Sequence, residues 1–196
     1  MVVAAAWLVH GLKRGNDRLV ARLGREARRD WLTGLLNRHR LDERLEHELE
    51  RSRRTGLPFS LLTADIDGFK AINDAAGHAA GDRTLAAVGE LLRGELRMID
   101  AAARVGGDEF VLLLPATAAD GARRAAERVR GAAGAVATGD GSALRISIGV
   151  AEFPADADTA DGLLRAADQA LYAAKLGAGG ESCPTRRTAT ADHLQV

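Results

Sequence analysis

The 196-residue chain has one cysteine, Cys183, few aromatic residues, no excess of either charge and no apolar run long enough to cross a bilayer. Each shortage excludes something. A single thiol cannot close an intramolecular disulfide or build a cysteine-based zinc site, and that count fits a reducing, cytoplasmic setting. Aromatics at 4% leave no platform for stacking successive bases, so the core is built from Ala, Leu, Val and Ile. Lys and Arg number 27 and Asp and Glu number 27, and a chain with no net charge does not bind nucleic acid through a global positive field. A complete membrane helix needs about 18 consecutive apolar residues, and no such run occurs. What is present is an ordinary apolar share, 46%, enough for one well-cored domain and too much for disorder throughout.

The first twelve residues (MVVAAAWLVHGL) are apolar, and Lys13 and Arg14 follow directly. A secretory signal carries its positive charge before the apolar run, not after it. Two readings stay open: a buried helix start, or the inner end of a membrane helix with basic residues on the cytoplasmic side. Residues 13–29 are Arg-rich, with Leu12, Leu19 and Leu23 as sparse apolar points, and suggest a solvated linker helix.

From Asp30 the pattern changes. Residues 40–54 read as an amphipathic helix with Leu41, Leu45 and Leu49 on one side, ended by Gly56 and Pro58. Residues 59–64 (FSLLTA) form a buried strand that delivers Asp65-Ile66-Asp67 at its end. Helices are expected over 69–75 and 82–96, separated by Gly77-His78-Ala79-Ala80-Gly81. Strands at 101–105 and 110–114 flank Gly106-Gly107-Asp108-Glu109 as a hairpin. A helix at 118–133, a strand at 144–152 and a helix at 159–176 complete the pattern, and residues 181–196 read as a disordered tail. Strand, helix, strand, strand, helix, strand is the split βαβ order of ferredoxin-like folds.

In that topology the first strand can neighbour the hairpin. Asp65, Asp67, Asp108 and Glu109 would then converge, and four carboxylates in one place call for a hard cation. With no Cys or His cluster, magnesium suits them best, and a glycine-rich turn beside it suggests a nucleotide phosphate.

The combination resembles a known family. Arg104-Val105-Gly106-Gly107-Asp108-Glu109-Phe110 carries the motif that names the GGDEF family, the diguanylate cyclases. Asp30-Trp31-Leu32-Thr33-Gly34-Leu35-Leu36-Asn37-Arg38 resembles its opening D-x-L-T-G-L-x-N-R signature. Asp65-Ile66-Asp67-Gly68-Phe69-Lys70-Ala71-Ile72-Asn73-Asp74 resembles its D-I-D-x-F-K-x-x-N-D segment. Gly77-His78-Ala79-Ala80-Gly81-Asp82 is similar to G-H-x-x-G-D, and Ala167-Asp168-Gln169-Ala170-Leu171-Tyr172-Ala173-Ala174-Lys175 to the closing helix.

The resemblance implies an α+β, ferredoxin-like GGDEF domain over residues 30–180, its mostly antiparallel sheet flanked by helices and preceded by an N-terminal helix within residues 1–29. It implies synthesis of cyclic di-GMP from two GTP molecules with release of two pyrophosphates, in a homodimer whose domains face each other. Residue by residue, Asp65 and the carbonyl of Ile66 would bind magnesium, with manganese as the alternative ion. Asp108 would complete the metal site and serve as, or help form, the general base, and Glu109 would be a further ligand. Gly106 and Gly107 would lie against the phosphates, Phe69 and Lys70 would belong to the phosphate loop, and Lys175 would reach the terminal phosphates. Asn73 and Asp82 would read guanine, since a carboxylate accepts from N1–H and the exocyclic amine, a donor pair adenine lacks. His78 either shapes the pocket or caps or packs a helix.

Arg97-Met98-Ile99-Asp100 is an R-x-x-D at the offset the family uses for its inhibitory product site, with Arg128 as a second arginine. The implied regulation is feedback inhibition by cyclic di-GMP. One position departs from the pattern: four residues after Lys175, where the family carries another basic residue, stands Gly179, with Arg186 and Arg187 as the nearest substitutes. Two competing classes are a catalytically silent cyclic di-GMP receptor and a dimerising module attached to a membrane partner. Intact Asp65, Asp108 and Glu109 weigh against the first, and the second leaves the nucleotide constellation unexplained. The location expected is the cytoplasm, at the inner face of the membrane if the N-terminal segment inserts.

Overall fold

The eight-residue run from Phe59 to Ile66 alternates its side chains between two apolar layers, which suits it to an interior strand covered on both faces. The computed structural model describes residues 28–138 and 141–177. The elements are β1 (Leu36–Asn37), α1 (Arg38–Thr55), β2 (Phe59–Ile66), α2 (Phe69–Ala76), α3 (His78–Glu95), β3 (Ala101–Arg104), β4 (Glu109–Leu114), α4 (Ala119–Ala133), β5 (Ile146–Phe153) and α5 (Ala160–Gly177). They form a five-stranded sheet in the order β1-β3-β4-β2-β5. All pairings are antiparallel except β1 with β3. Without the two-residue β1, the order is the ferredoxin-like one, and the fold is α+β as the sequence implies.

Both faces are covered. Leu62, Ala64 and Ile66 of β2 join Phe110, Leu112 and Ile148 beneath α2, α3 and α4, with Ile72, Leu85, Val88, Leu92 and Val129 facing them. Phe59 and Leu61 face the other way, with Val111, Leu113 and Phe153, toward Leu41, Leu45 and Leu49 of α1 and Leu163 and Ala167 of α5. The period-2 pleat therefore aims Asp65 at the α1/α5 face and Ile66 at the opposite one. α1 begins on the side chain of Asn37, which accepts from Arg40 N, and ends at Gly56, whose φ of 70° suits a left-handed cap.

Several boundaries differ from the sequence reading. β2 continues through Asp65 and Ile66, because Asp65 pairs with both Glu109 and Ser147 and Ile66 pairs with Ile146. Only Gly77 separates α2 from α3. His78-Ala79-Ala80-Gly81 is helical, since Gly81 has no side chain and lets Asn73 and Phe69 pack onto it. β1 was not anticipated. Of the expected linker helix only Arg28 and Arg29 are described, and they are not helical: Arg29 bridges Leu36, and Asn37 N donates to Arg28 O. The apolar N-terminal segment, Gly179, Cys183, Arg186 and Arg187 lie outside the described residues. Among the described residues no helix is long and apolar enough to cross a membrane.

Candidate active site

The acidic residues meet where β2 and β4 run out together. Asp65 and Glu109 are direct cross-strand partners, and both lie on the α1/α5 face. Asp108 precedes β4, and its carbonyl accepts from Ile66 N at 3.4 Å. Asp67 is held by Ser147, whose hydroxyl donates to Oδ1 at 2.7 Å. Lys175 crosses from α5 and puts its ammonium 2.7 Å from Asp65 Oδ1. This contact joins residues 110 positions apart and brings one of the expected phosphate ligands onto one of the expected metal ligands.

Burial pushes the Asp65 carboxyl up from its ordinary range, and the negative charges of Asp108 and Asp67 add to the rise. Lys175 opposes them without cancelling them. The site therefore holds an excess of negative charge that a cation would relieve. Its donors are oxygens, which suit a hard divalent ion. Among the described residues no three acidic, imidazole or thiol side chains cage an ion by themselves. Magnesium commonly takes one or two carboxylates and completes its shell with water and substrate, and Asp65 and Glu109, adjacent across the strands, are oxygen donors of that kind.

The hairpin turn is fixed by a residue to which the sequence reading gave no role. Arg104, the last residue of β3, donates from Nε and Nη2 to Gly107 O at 3.0 and 2.7 Å. Its Nη1 also lies 3.4 Å from both oxygens of Asp30. A Cβ on Gly106 would collide with the Glu109 carboxylate, so glycine there gives that side chain its place. Asp30 in turn accepts from the amide and hydroxyl of Thr33 at 2.9 and 2.8 Å. Burial alone would raise its pKa, but Thr33 and Arg104 together hold it below the usual carboxylate value. The same turn rests on α3, where Gly89 leaves room for Thr33 and Arg93 Nη1 donates to Thr33 O at 3.1 Å.

Phe69 and Lys70 open α2 behind Gly68, whose φ is 70°, with Lys70 exposed and Phe69 half-buried against the core. Asn73 packs across Gly81, the residue before Asp82 in α3, so the two expected guanine readers lie on neighbouring stretches of α2 and α3. Asp82 is exposed, as is His78 at the head of α3. Gly77 makes no side-chain cap there, and His78 packs into no core.

A cavity of ≈ 490 Å³ runs from Asp65, Glu109 and Lys175 along α5 to Thr63, Asp168 and Arg38. The Thr63 hydroxyl is buried without a well-formed hydrogen bond. It faces Asp168 closely enough to favour the charged carboxylate, as does Arg38, yet desolvation against the cavity wall still raises the Asp168 pKa although the residue is largely exposed. α5 is set against the sheet at Gly149, where any Cβ would strike the backbone of Ala167 and Leu171. In the sequence Gly149 is one more residue of an alternating strand, and a glycine inside the run LRISIGVAE is the one local signal of a close approach.

On the far side of α3, Arg97 and Asp100 face each other across a tight turn: Arg97 N donates to Asp100 Oδ2 at 2.9 Å and Asp100 N to Arg97 O at 3.0 Å. Asp100 Oδ1 is buried and has no partner. Arg128 on α4 reaches the end of α3 at Glu95, with Nε 3.8 Å from Oε2.

Comparison with known proteins supplies the remaining findings. A family profile described as "Diguanylate cyclase, GGDEF domain" matches residues 27–180. The chain is 44% identical over 149 residues to the diguanylate cyclase DgcP of Pseudomonas aeruginosa, covering 74% of this chain and 22% of that protein. It thus spans about a fifth of that relative's length. Among solved structures, the diguanylate cyclase SiaD of Pseudomonas aeruginosa, in complex with its activator SiaC, superposes with a TM-score of 0.72 at 37% identity, covering 90% of this chain and 68% of that one. The coiled coil and GGDEF domain of DgcB from Caulobacter crescentus, in complex with c-di-GMP, gives 0.72 at 29% identity over 89% of this chain and 94% of that one.

Proposed function

This chain belongs to the diguanylate cyclase GGDEF-domain family, and from that premise we propose that it condenses two GTP molecules into cyclic di-GMP, with release of two pyrophosphates. The observation that carries the reading is the pairing of Asp65 with Glu109 across β2 and β4, next to the Gly106-Gly107 turn and under Lys175. In each half-reaction the ribose 3′-oxygen of one GTP attacks the α-phosphorus of the other. The bond to the β-phosphate oxygen breaks, and the hydroxyl proton passes to a carboxylate of the turn. The second half-reaction closes the ring.

Asp65, the Ile66 carbonyl, Asp108 and Glu109 would hold the divalent ion. When bound, that ion supplies charge neutralisation on the triphosphate and orients the leaving pyrophosphate. Asp108, in the turn before β4, would serve as, or help form, the general base that takes the 3′-hydroxyl proton. Lys70 and Lys175 would offset the charge of the phosphates. Arg104 engages the turn's carbonyl at Gly107, and the turn's backbone N–H groups would be left to face the anion. Asn73 and Asp82 would select guanine. Each domain binds one nucleotide, so turnover requires two copies facing each other, and the rate rises faster than linearly with protein concentration.

We assign product inhibition to Arg97, Asp100 and Arg128. Support comes from their gathering at one end of α3 and from the unpartnered Asp100 Oδ1, an acceptor suited to a guanine N–H. The test of the whole reading is incubation with GTP and magnesium at low and high protein concentration, with mass detection of products. Cyclic di-GMP formed with a greater than first-order dependence on protein supports both the activity and the dimer. No product together with tight cyclic di-GMP binding would instead make the chain a receptor. Loss of inhibition in Arg97→Ala, with synthesis retained, would support the regulatory site.

A further inference from the structure

The cyclase reading assigns Asp65 to a divalent ion and Lys175 to the terminal phosphates, yet the structure joins these two side chains at 2.7 Å. A carboxylate already neutralised by an ammonium attracts a second cation less strongly. An ammonium at hydrogen-bond distance and a magnesium ion at about 2.1 Å would be two cations repelling each other across one carboxylate. The pair is also sheltered, with 28% of the Lys175 side chain and 17% of the Asp65 side chain exposed, so salt screens it little. The backbone beneath Lys175 is fixed, because α5 touches the sheet at Gly149 and buries Leu163 and Ala167. Only the flexible lysine stem has to move, and an ammonium at its tip can turn from one anion to another without a matching planar partner.

We infer that Lys175 is an internal counter-ion, occupying Asp65 in competition with the divalent ion and surrendering it when a triphosphate draws the ammonium away. Ion and nucleotide then bind synergistically. Each removes an obstacle to the other, and by linkage the coupling is reciprocal. This rests on the cyclase reading for the identity of the nucleotide, though the competition at Asp65 does not need it.

The experiment is a titration of the intact chain with Mn²⁺ alone, read from the electron paramagnetic resonance signal of the free ion. The proteins compared are wild type, Lys175→Gln, Lys175→Met and the double variant Lys175→Gln/Asp65→Asn. The expected result is Mn²⁺ binding about tenfold tighter in both neutral variants than in wild type, with the gain lost in the double variant. Adding a non-hydrolysable GTP analogue should raise wild-type Mn²⁺ affinity by a larger factor than it raises that of Lys175→Gln. Unchanged or weaker Mn²⁺ affinity in the two neutral variants, including no measurable binding at millimolar ion, overturns the inference. So does a gain that survives in the double variant. Because the first titration contains no nucleotide, failure to make cyclic di-GMP would sink the cyclase reading and leave this result standing. A productive cyclase whose neutral variants bind Mn²⁺ no better would sink the counter-ion alone.

Discussion

The two ends of β2 have opposite characters. At one end Phe59 has no exposed surface and stacks on Phe153 with ring centroids 5.1 Å apart, sealing the layer between the sheet and α1 and α5. At the other, about 20 Å away at roughly 3.4 Å per residue, Asp65 shares a cavity mouth with Glu109 and Lys175. One strand thus carries an apolar plug and a cluster of charge whose repulsion the fold tolerates. Stability is drawn from the closed end, and the open end is left free to hold groups that would rather not be together.

Substitutions at the two ends should therefore separate activity from stability. The largest effect is expected for Asp65→Asn, with cyclic di-GMP synthesis falling at least about 1000-fold. Its urea-derived unfolding free energy should drop by no more than about 1 kcal/mol. Phe59→Ala should do the reverse, losing about 3–5 kcal/mol of stability while turnover per folded molecule stays near wild type. If both variants lost activity and stability together, the two ends would not be independent.

Gly149→Ala is intermediate, because it lifts α5 and with it Lys175. A cost of about 1–3 kcal/mol should accompany a rise in the KM for GTP larger than any change in kcat, measured by steady-state kinetics. Asp30→Asn probes pH. The Asp30 pKa is lowered in the fold, so its contribution is present above the ordinary carboxylate range and is lost as pH falls through the folded value. Wild type and variant should differ most in denaturant midpoint near neutrality and converge below about pH 4. The smallest effect belongs to Arg123→Ala. It removes an exposed pair with Asp120 and should change stability by less than about 0.5 kcal/mol, with synthesis unaffected.

Local signals made much of this legible from sequence. The hairpin followed from two glycines between apolar runs, and α5 from the spacing of Leu163, Ala167 and Leu171. Acidic residues commonly stand where a strand has ended, so the reading stopped β2 at Ala64, although Asp65 lies inside the ladder with partners on both sides. His78-Ala79-Ala80-Gly81 looked like a linker because glycine is a poor helix former, and its compensation, the Asn73 side chain resting on Gly81, is a tertiary contact. The site residues were named through a family resemblance, but their connections were not. The Lys175–Asp65 pair, the reach of Arg104 to Asp30 and the close approach at Gly149 all join segments whose separation no periodicity records.

The turn from Asp30 to Leu35 acts as a mechanical joint. It is fastened to α3 through Gly89 and Arg93, and to the hairpin turn at residues 106–109 through Arg104. Arg28 and Arg29 are tied to it by the bridge to Leu36 and the bond to Asn37. A protein fused ahead of Arg28 would thus transmit a twist through a few backbone hydrogen bonds and one guanidinium to the helix carrying Asp82 and the turn carrying Asp108.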